Sequence, residues 1–369
     1  MRTNIYIKSV AAISPLQAIE DISLVNIQRE EVGNQSLCIE PNYKDYIPAI
    51  KARRMSRILK MTWVAANTAL ERAQIENPDM ISVATGMGCQ ADTTKFLVDL
   101  IENKEEHPKP TAFINSTHNT PAGFLAIELK SKGQNFSFTH HDLNFEHALL
   151  DAAIRLNDKE VNNALIGAVD EITEETHLIK EKLGILRGAE QIKNELYTDK
   201  NNGVIDGEGA VFLVLENSNS ATAMAKISAL SFEYKIESNL HFSERIELFL
   251  SENQIKIDNI DFIIGGNTGD FIADSVLNSW SASSQIEKKY IKYKQHTGEF
   301  MSSGVYGLWL GALILQDQIV PDFLNAKAQF TDSILLEGNQ NSLKAISNLL
   351  LINHNGQGNY SFILLQNND

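Results

Sequence analysis

The chain has few cysteines, little positive charge and no long apolar run, and each shortage removes a class of function. Cys38 and Cys89 are its two cysteines in 369 residues, which gives neither a disulfide framework nor a metal-ligand spacing and fits a reducing cytoplasm. Its 32 Lys and Arg side chains face 47 Asp and Glu side chains, so the formal net charge is −15. This sign argues against nucleic acids and anionic membranes as partners.

Membrane insertion, secretion and phosphate binding also lack a signal in the sequence. No segment approaches the roughly 18 uninterrupted apolar residues that span a bilayer. Residues 1–15 are too polar and too strand-like for the apolar part of a secretory signal. The glycines at 265–270 lack the following lysine and helix start of a phosphate-binding loop. We therefore expect a globular cytoplasmic protein without a cofactor or a metal ion.

Strand and helix patterns alternate along the whole chain. Arg53 to Ala73 carries its apolar residues on one face, as an amphipathic helix does. Period-two or short apolar runs predict strands at residues 4–10, 81–85, 163–169, 223–234 and 262–266, and helical spacing recurs at residues 93–102, 243–252, 272–280 and 302–316. The order in the second part repeats that of the first. The sequence thus predicts a duplicated α/β protein with halves at residues 1–220 and 221–369.

One stretch, Asn135 to Leu156, predicts a strand that enters a sharp turn and then a helix. Aromatic and hydroxyl side chains alternate at its start, and apolar residues recur at helical spacing after Leu143. The turn falls on His140, His141 and Asp142. The start of a helix favours negative charge, so such a corner is where a nucleophile is expected. The corner of this chain holds an aspartate.

Four stretches of the chain resemble the beta-ketoacyl synthases, which are condensing enzymes of the thiolase fold, and they follow one another in the family's order. The first is the strand, turn and helix around Asp142. The others are Gly203 to Glu216, similar to a glycine-rich loop, Lys294 to Gly307, similar to a lysine and Gly-His segment, and Asn353 to Leu365, similar to the closing glycine-rich turn. The resemblance implies an α/β, thiolase-like fold in which two similar halves together form five layers, αβαβα.

The resemblance also places the family's reactive residues, and this chain replaces most of them. Asp142 stands where the family has its acyl-accepting cysteine, while Gly266 and Glu299 stand where it has two histidines. The family's lysine is kept as Lys294, and its gating phenylalanine matches Gln357. A carboxylate holds an acyl group only as a labile anhydride, and an acid beside an oxyanion opposes its charge. The resemblance therefore implies no independent condensation.

A ketosynthase-like chain without these groups resembles a chain-length factor, which is the silent subunit of a heterodimeric condensing enzyme. Residues 110–129 and 145–152 are particularly similar to the partner subunits of aryl polyene and flexirubin synthesis. In that family the subunit packs against an active ketosynthase across a continuous sheet and helps to bound the acyl tunnel. Because acyl carrier proteins are themselves acidic, we expect a carrier to dock on the partner ketosynthase.

The candidate pocket residues are His118, His140, His141, Asn267 and Gln357, and their role is open. The two corner histidines and Asp142 form either an acid/base cluster together with the lysine and glutamate of the third stretch, or a hydrogen-bonded plug in a redundant site. His118 either contacts the partner's tunnel or stabilises a turn.

Lys294 either binds a carboxylate ligand or pairs with an internal acid such as Glu208 or Glu299. Cys89 follows a glycine turn without a histidine pattern, so we expect it to be a small buried residue. Two other functions remain as alternatives. One is a thioester hydrolase or malonyl decarboxylase that uses Asp142 and the nearby histidines, and the other is a non-enzymatic homodimeric acyl-binding protein.

Overall fold

A computed structural model describes most of the chain. The described residues are 1–24, 33–106, 110–140, 143–188, 202–284, 286, 289–321, 324 and 345–368. Two of the predicted site residues, His141 and Asp142, lie outside these ranges.

Strands and helices alternate as the sequence predicts. The strands are β1 (Arg2–Ile13), β2 (Gln35–Ser36), β3 (Met80–Ala84), β4 (Gln134–Phe138), β5 (Asn163–Asp170), β6 (Asp206–Gly207), β7 (Gly209–Glu216), β8 (Ala225–Glu233), β9 (Phe262–Gly265), β10 (Tyr290–Lys292), β11 (Asn348–His354) and β12 (Tyr360–Gln366). The helices are α1 (Ala49–Ala52), α2 (Arg57–Ala73), α3 (Gln90–Glu102), α4 (Pro110–Asn115), α5 (Thr120–Glu128), α6 (Asn144–Asn157), α7 (Glu174–Lys182), α8 (Asn239–Glu252), α9 (Ser275–Ser283), α10 (Lys294–Thr297) and α11 (Gly304–Asp317).

The sheet consists of two halves with the same topology, which the sequence predicts only from its repeated order of strand and helix patterns. Its ten strands lie in the order β10-β9-β11-β12-β8-β1-β7-β5-β3-β4. Counted outward from the centre, β1-β7-β5-β3-β4 and β8-β12-β11-β9-β10 have the same sequence of two antiparallel and then two parallel pairings. The central pair β1–β8 is antiparallel. Both halves therefore have one topology, while the domain boundary near residue 220 stays a prediction.

Three apolar clusters separate the layers. The central cluster packs α6 and α11 between the two halves of the sheet. A second cluster packs α2 and α5 on the outer face of the first half, and a third packs α8 and α9 on the outer face of the second half. Strand β7 shows the alternation, because Val211 and Leu213 belong to the central cluster whereas Phe212 and Val214 belong to the second. The expected five layers, αβαβα, are confirmed.

The two central helices differ in how much apolar surface they bury. Every residue of α11 from Gly304 to Leu315 is buried, as expected for a helix enclosed on all sides. Helix α6 buries one face, including Phe145, Leu149 and Leu156. The first turns of the two helices lie side by side, because Glu146 Oε1 is next to Gly304, and the end of β11 meets them at Asn353. The candidate site lies there.

Several predicted helix starts differ from the structure, each for a local reason. Helix α2 begins at Arg57 and not at Arg53, because the preceding residues form the separate one-turn helix α1. Helix α9 begins at Ser275 and not at Ile272, because Asp270 Oδ1 accepts the backbone N–H of Ile272 in a turn. Helix α8 begins earlier than predicted, at Asn239, after Ser238 caps it by accepting the N–H of His241 at 3.2 Å.

The two ends of the sheet differ in exposure. At one end β10 is short, with Tyr290 and Ile291 buried. At the other end β4 pairs with β3 on one side only, within the described part of the chain. Its residues are exposed or half-buried. Among the described residues, none of the helices is both long enough and apolar enough to cross a membrane.

Candidate functional site

The predicted strand before residue 142 and the predicted helix after it are both present. Strand β4 ends at Phe138, and α6 begins at Asn144 after Leu143, whose φ of 54° is in the left-handed region. The turn residues His141 and Asp142 lie outside the described residues. His140 is exposed, and its ring centroid lies 5.1 Å from that of His147 on α6.

A buried carboxyl group occupies the first turn of α6. Glu146 is 2 % exposed, and its Oε1 accepts hydrogen bonds from Asn353 Nδ2 at 2.6 Å and from Ser361 Oγ at 3.4 Å. Burial raises the pKa of Glu146, although the Asn353 amide and the nearby charge of Lys294 oppose the shift. This group joins the first turn of α6 to the end of β11 and the start of β12. The sequence did not single it out.

Lys294 and Glu299 form an ion pair beside this carboxyl group. Lys294 Nζ lies 2.7 Å from Glu299 Oε2, and the lysine side chain is only 1 % exposed. Ser303 Oγ donates a hydrogen bond to Glu299 Oε1 at 3.1 Å. The glutamate backbone is fixed as well, because its N–H donates to Ile205 O at 2.8 Å. Of the two acids that the sequence offered as partners of Lys294, the structure places Glu299 there.

The other acid, Glu208, is part of a different ion pair. Arg57 donates to both of its carboxylate oxygens at 2.6 Å, and the backbone N–H groups of Cys38 and Ile172 donate to them at 3.0 and 2.9 Å. Glu208 is fully buried. This bidentate geometry makes Glu208 a structural anchor between α2 and β7.

Gly266 directly follows β9, and the neighbouring atoms leave no room for a side chain at this position. A Cβ atom built on Gly266 would collide with Asn353 Oδ1. A Cβ atom on Gly304, the first residue of α11, would collide with Glu146 Oε1. The hydrogen bond between Glu146 and Asn353 thus lies between two glycines. One of these glycines stands where the resemblance places a histidine.

The remaining pocket candidates do not share this cluster. Asn267 is buried, but its side chain bonds to Tyr290 Oη at 2.9 Å and to Asn278 Oδ1 at 3.1 Å. Gln357 is exposed in the closing turn. His118 is exposed in the turn between α4 and α5, where its ring lies beside Gly88.

A buried histidine and aspartate tie together the two loops at the site, and sequence reasoning missed both. His354 Nε2 lies 3.0 Å from Asp274 Oδ1, and Gly356 N–H donates to His354 Nδ1 at 3.0 Å. The proton of a neutral His354 is therefore on Nε2. Burial alone would raise the pKa of Asp274, but His354 and the N–H groups of Thr268 and Gly269 lower it. The pair holds the loop after β9 against the closing turn.

The missed residues have weak signals in the sequence. Glu146 is a charged residue on the apolar face of a predicted helix, four positions after Asp142. Asn353 opens the closing turn that carries the resemblance. A charged residue on a buried helix face needs a partner, so the pattern around Glu146 indicates a buried polar contact.

The charged groups of this cluster are already paired with other groups. Lys294 is neutralised by Glu299, and the carboxyl group of Glu146 is held by an amide. Burial raises the pKa of Cys38 and of Cys89, the chain's two thiols, which opposes thiolate formation. Within the described ranges, no group of three or more His, Cys, Asp or Glu side chains is arranged to hold a metal ion.

Comparison with known proteins gives the fold an independent test. The family model described as "Beta-ketoacyl synthase, N-terminal domain" matches residues 29–182. No curated protein sequence matches the chain.

Three solved structures align over 100% of both chains. They are the ishigamide ketosynthase/chain length factor (TM-score 0.74, 14% identity), a beta-ketoacyl synthase from Burkholderia phymatum STM815 (0.76, 15%), and the AntDE:AntF complex of a type II PKS acyl-carrier protein with its ketosynthase bound to the hexaketide (0.70, 12%). The chain therefore has the thiolase-like ketosynthase fold, as the sequence resemblance predicts.

Proposed function

We propose that this chain is a catalytically silent, ketosynthase-like subunit of the chain-length-factor type. In this role it pairs with an active beta-ketoacyl synthase and helps to shape the acyl tunnel in polyketide or polyene chain elongation. The partner supplies the thiol, the histidines and the surface on which an acyl carrier protein docks. The ketosynthase fold and the family match over residues 29–182 support this proposal.

The observation that carries the proposal is the state of the two histidine positions. Decarboxylative condensation needs hydrogen-bond donors that face a developing oxyanion. At these positions the chain has Gly266, without a side chain, and Glu299, whose carboxylate is fixed on Lys294 at 2.7 Å. Gly266 has no side chain that could donate a hydrogen bond, and a carboxylate paired with an ammonium group accepts hydrogen bonds and does not donate them. The retained lysine is used in an internal ion pair.

The surface on the β4 side of the fold supports a partner of the same fold. The outer side of β4 has no paired strand in the described part of the chain, and such an edge can extend a sheet into a second subunit. Helix α5 packs on β4, and apolar side chains are exposed on the nearby helices: Leu97 48%, Ile101 75%, Phe113 57%, Ile114 65% and Ile127 75%. An apolar surface of this kind is typical of an interface.

The product class rests on the sequence resemblance to subunits of aryl polyene and flexirubin synthesis. Within this proposal, exposed apolar residues on α4 and α5 lie where they can contact the partner and bound the chain it elongates. The net charge of −15 agrees with carrier docking on the partner, because an acidic carrier is repelled by an acidic surface.

Co-expression with the ketosynthase encoded nearest to this chain tests the proposal. We expect a tagged copy of the chain to purify with the ketosynthase, and the complex to form carbon–carbon bonds from loaded carriers. The chain alone should acquire no acyl adduct by intact mass and make no elongated product. Condensation by the chain alone, or an acyl adduct on it, would contradict the proposal.

The same preparation separates the other two functions. A thioester hydrolase or decarboxylase would release free acid or carbon dioxide from a loaded carrier without the ketosynthase. A homodimeric acyl-binding protein would form a stable dimer alone and would not purify with the ketosynthase. Replacement of Asp142 by Ala distinguishes the first of these, since any release that depends on Asp142 would then be lost.

A further inference from the structure

The hydrogen bond between the buried Glu146 and the half-buried Asn353 lies between Gly266 and Gly304 in the candidate site. Its donor–acceptor distance is 2.6 Å, and Glu146 also accepts from Ser361 Oγ at 3.4 Å. On one side it leaves no room for a Cβ atom on Gly266, and on the other it leaves none for a Cβ atom on Gly304. The pair therefore sets the residue type that both neighbouring positions tolerate.

The side chain of Glu146 also contacts elements of both halves of the fold. The carboxyl group projects from α6 between the first turn of α11 and the ends of β11 and β12, so it connects both halves of the fold. Lys294 is near enough for its charge to influence Glu146, and Lys294 is itself paired with Glu299. Moving the carboxyl group would leave buried polar atoms without partners, which is unfavourable.

We propose that the Glu146–Asn353 pair is a seal that keeps an acyl chain out of this subunit's own pocket, independently of which residues occupy the catalytic positions. This inference rests on the proposed function in one respect, because a closed pocket here would confine the acyl chain to the active partner. Gly266 and Gly304 are the positions that make room for it. A histidine introduced at position 266 would therefore be kept out of its usual position while the Glu146–Asn353 hydrogen bond is intact.

A double-mutant cycle on the full chain tests the packing. Gly304→Ala should lower the melting temperature by several degrees, because its methyl group collides with Glu146 Oε1. In the Glu146→Ala/Asn353→Ala background the same change should lower it by much less, since Glu146 Oε1 and Asn353 Nδ2, the two side-chain atoms nearest to this methyl group, are both gone. Losses that simply add would show that the pair does not fill this space.

Photo-crosslinking tests the exclusion itself. The probe is a decanoyl pantetheine thioester that carries a terminal diazirine, used on the full chain in whatever assembly it forms. We expect no crosslink on peptides that contain residues 146, 266, 304 or 353 of the unmodified chain. In the Glu146→Ala/Asn353→Ala variant we expect crosslinks on those peptides. Crosslinks there in the unmodified chain, or none in the variant, would overturn the proposal.

Two controls make the result specific. Glu146→Gln keeps the shape of the side chain and should stay closed to the probe. Glu233→Ala removes another buried carboxylate, which pairs with Arg245 at 2.6 Å, and should not open the pocket. Both tests use this chain without a ketosynthase, so a failed pull-down would contradict the proposed function and leave the seal standing.

Discussion

Lys294 is the one reactive residue that the resemblance places and the chain retains, and the structure buries it in an ion pair. Its side chain is 1 % exposed and its ammonium group lies 2.7 Å from Glu299 Oε2. A buried ammonium without an anion is strongly unfavourable, so the two residues depend on each other. The sequence predicted this pairing as one of two choices.

The ion pair gives a prediction for stability. Glu299→Gln leaves Lys294 buried without its carboxylate, and we expect a loss of about 3–5 kcal/mol in the free energy of unfolding. Lys294→Met combined with Glu299→Gln removes both charges and should cost less than Glu299→Gln alone. Urea denaturation of the three proteins measures this. A double variant less stable than Glu299→Gln would contradict the expectation.

Glu171, which follows β5, gives a second prediction at this scale, on pH. It is 8 % exposed, and burial raises its pKa from the ordinary 4.5 to about 7, although Ala91 N–H and Arg57 oppose the shift. The folded state therefore binds this proton more tightly than the unfolded state does. The resulting contribution to stability is fully present below pH 4.5 and is lost as the pH rises through 7.

Glu171→Gln removes this titration and keeps an acceptor for Ala91. We expect the variant to gain stability over the natural chain as the pH rises from 5 to 8, by on the order of 2–3 kcal/mol at most. Denaturant unfolding across that range measures the difference. A difference that stays constant with pH would show that Glu171 does not titrate there.

Helix α7 is held on the fold mainly by a buried polar side chain. None of its residues is buried. Two of its side chains bind the buried carboxylate of Asp206: His177 Nδ1 lies at 2.8 Å and Lys180 Nζ at 2.6 Å. The helix also has a capping box at Thr173. Its place on the fold therefore depends on Asp206 more than on apolar packing.

Asp206→Asn should loosen α7 without unfolding the protein. The change weakens two charge-assisted hydrogen bonds, each worth about 1.5–3 kcal/mol, so amides of α7 should exchange with solvent at least about tenfold faster. Hydrogen exchange read by mass spectrometry on peptides of residues 174–182 measures this. Glu181→Gln, an exposed change on the same helix, is the control. Unchanged exchange in Asp206→Asn would refute the anchor.

Element types were predictable where periodicity was strong, and element ends were not. The apolar face of α2 and the short apolar runs of β3 and β5 indicated the correct element types. The start of α9 was predicted three residues early, because Asp270 stabilises a turn at Ile272 that an apolar pattern does not show. Side-chain contacts between neighbouring residues decide such ends.

At the scale of the whole molecule, the sheet ends at β10, where Tyr290 and Ile291 are buried, and at β4, which is half-buried or exposed and, among the described residues, leaves its outer side open. A continuous sheet across two subunits uses such an open end. If the apolar helices beside β4 bind a ketosynthase, a charge there should prevent assembly without harming the fold.

Ile127→Lys tests this interface. The side chain is 75% exposed on α5, so the change should leave the melting temperature within about 1 °C while co-purification with the ketosynthase falls at least tenfold. Leu240→Lys, 71% exposed on α8 at the other end of the fold, is the matched control and should co-purify normally. Equal recovery of both variants would place the partner elsewhere.

The sequence by itself determined the fold class, because the alternation of strand and helix patterns and the order of four motif stretches are properties of the chain. The residues Asp142, Gly266 and Glu299, which stand where the resemblance places the family's thiol and two histidines, are also read directly from the sequence. Only the tertiary structure decided what packs beside Gly266. Glu146 and Asn353 are 207 positions apart, and their hydrogen bond exists because α6 begins beside the end of β11, a strand of the other half.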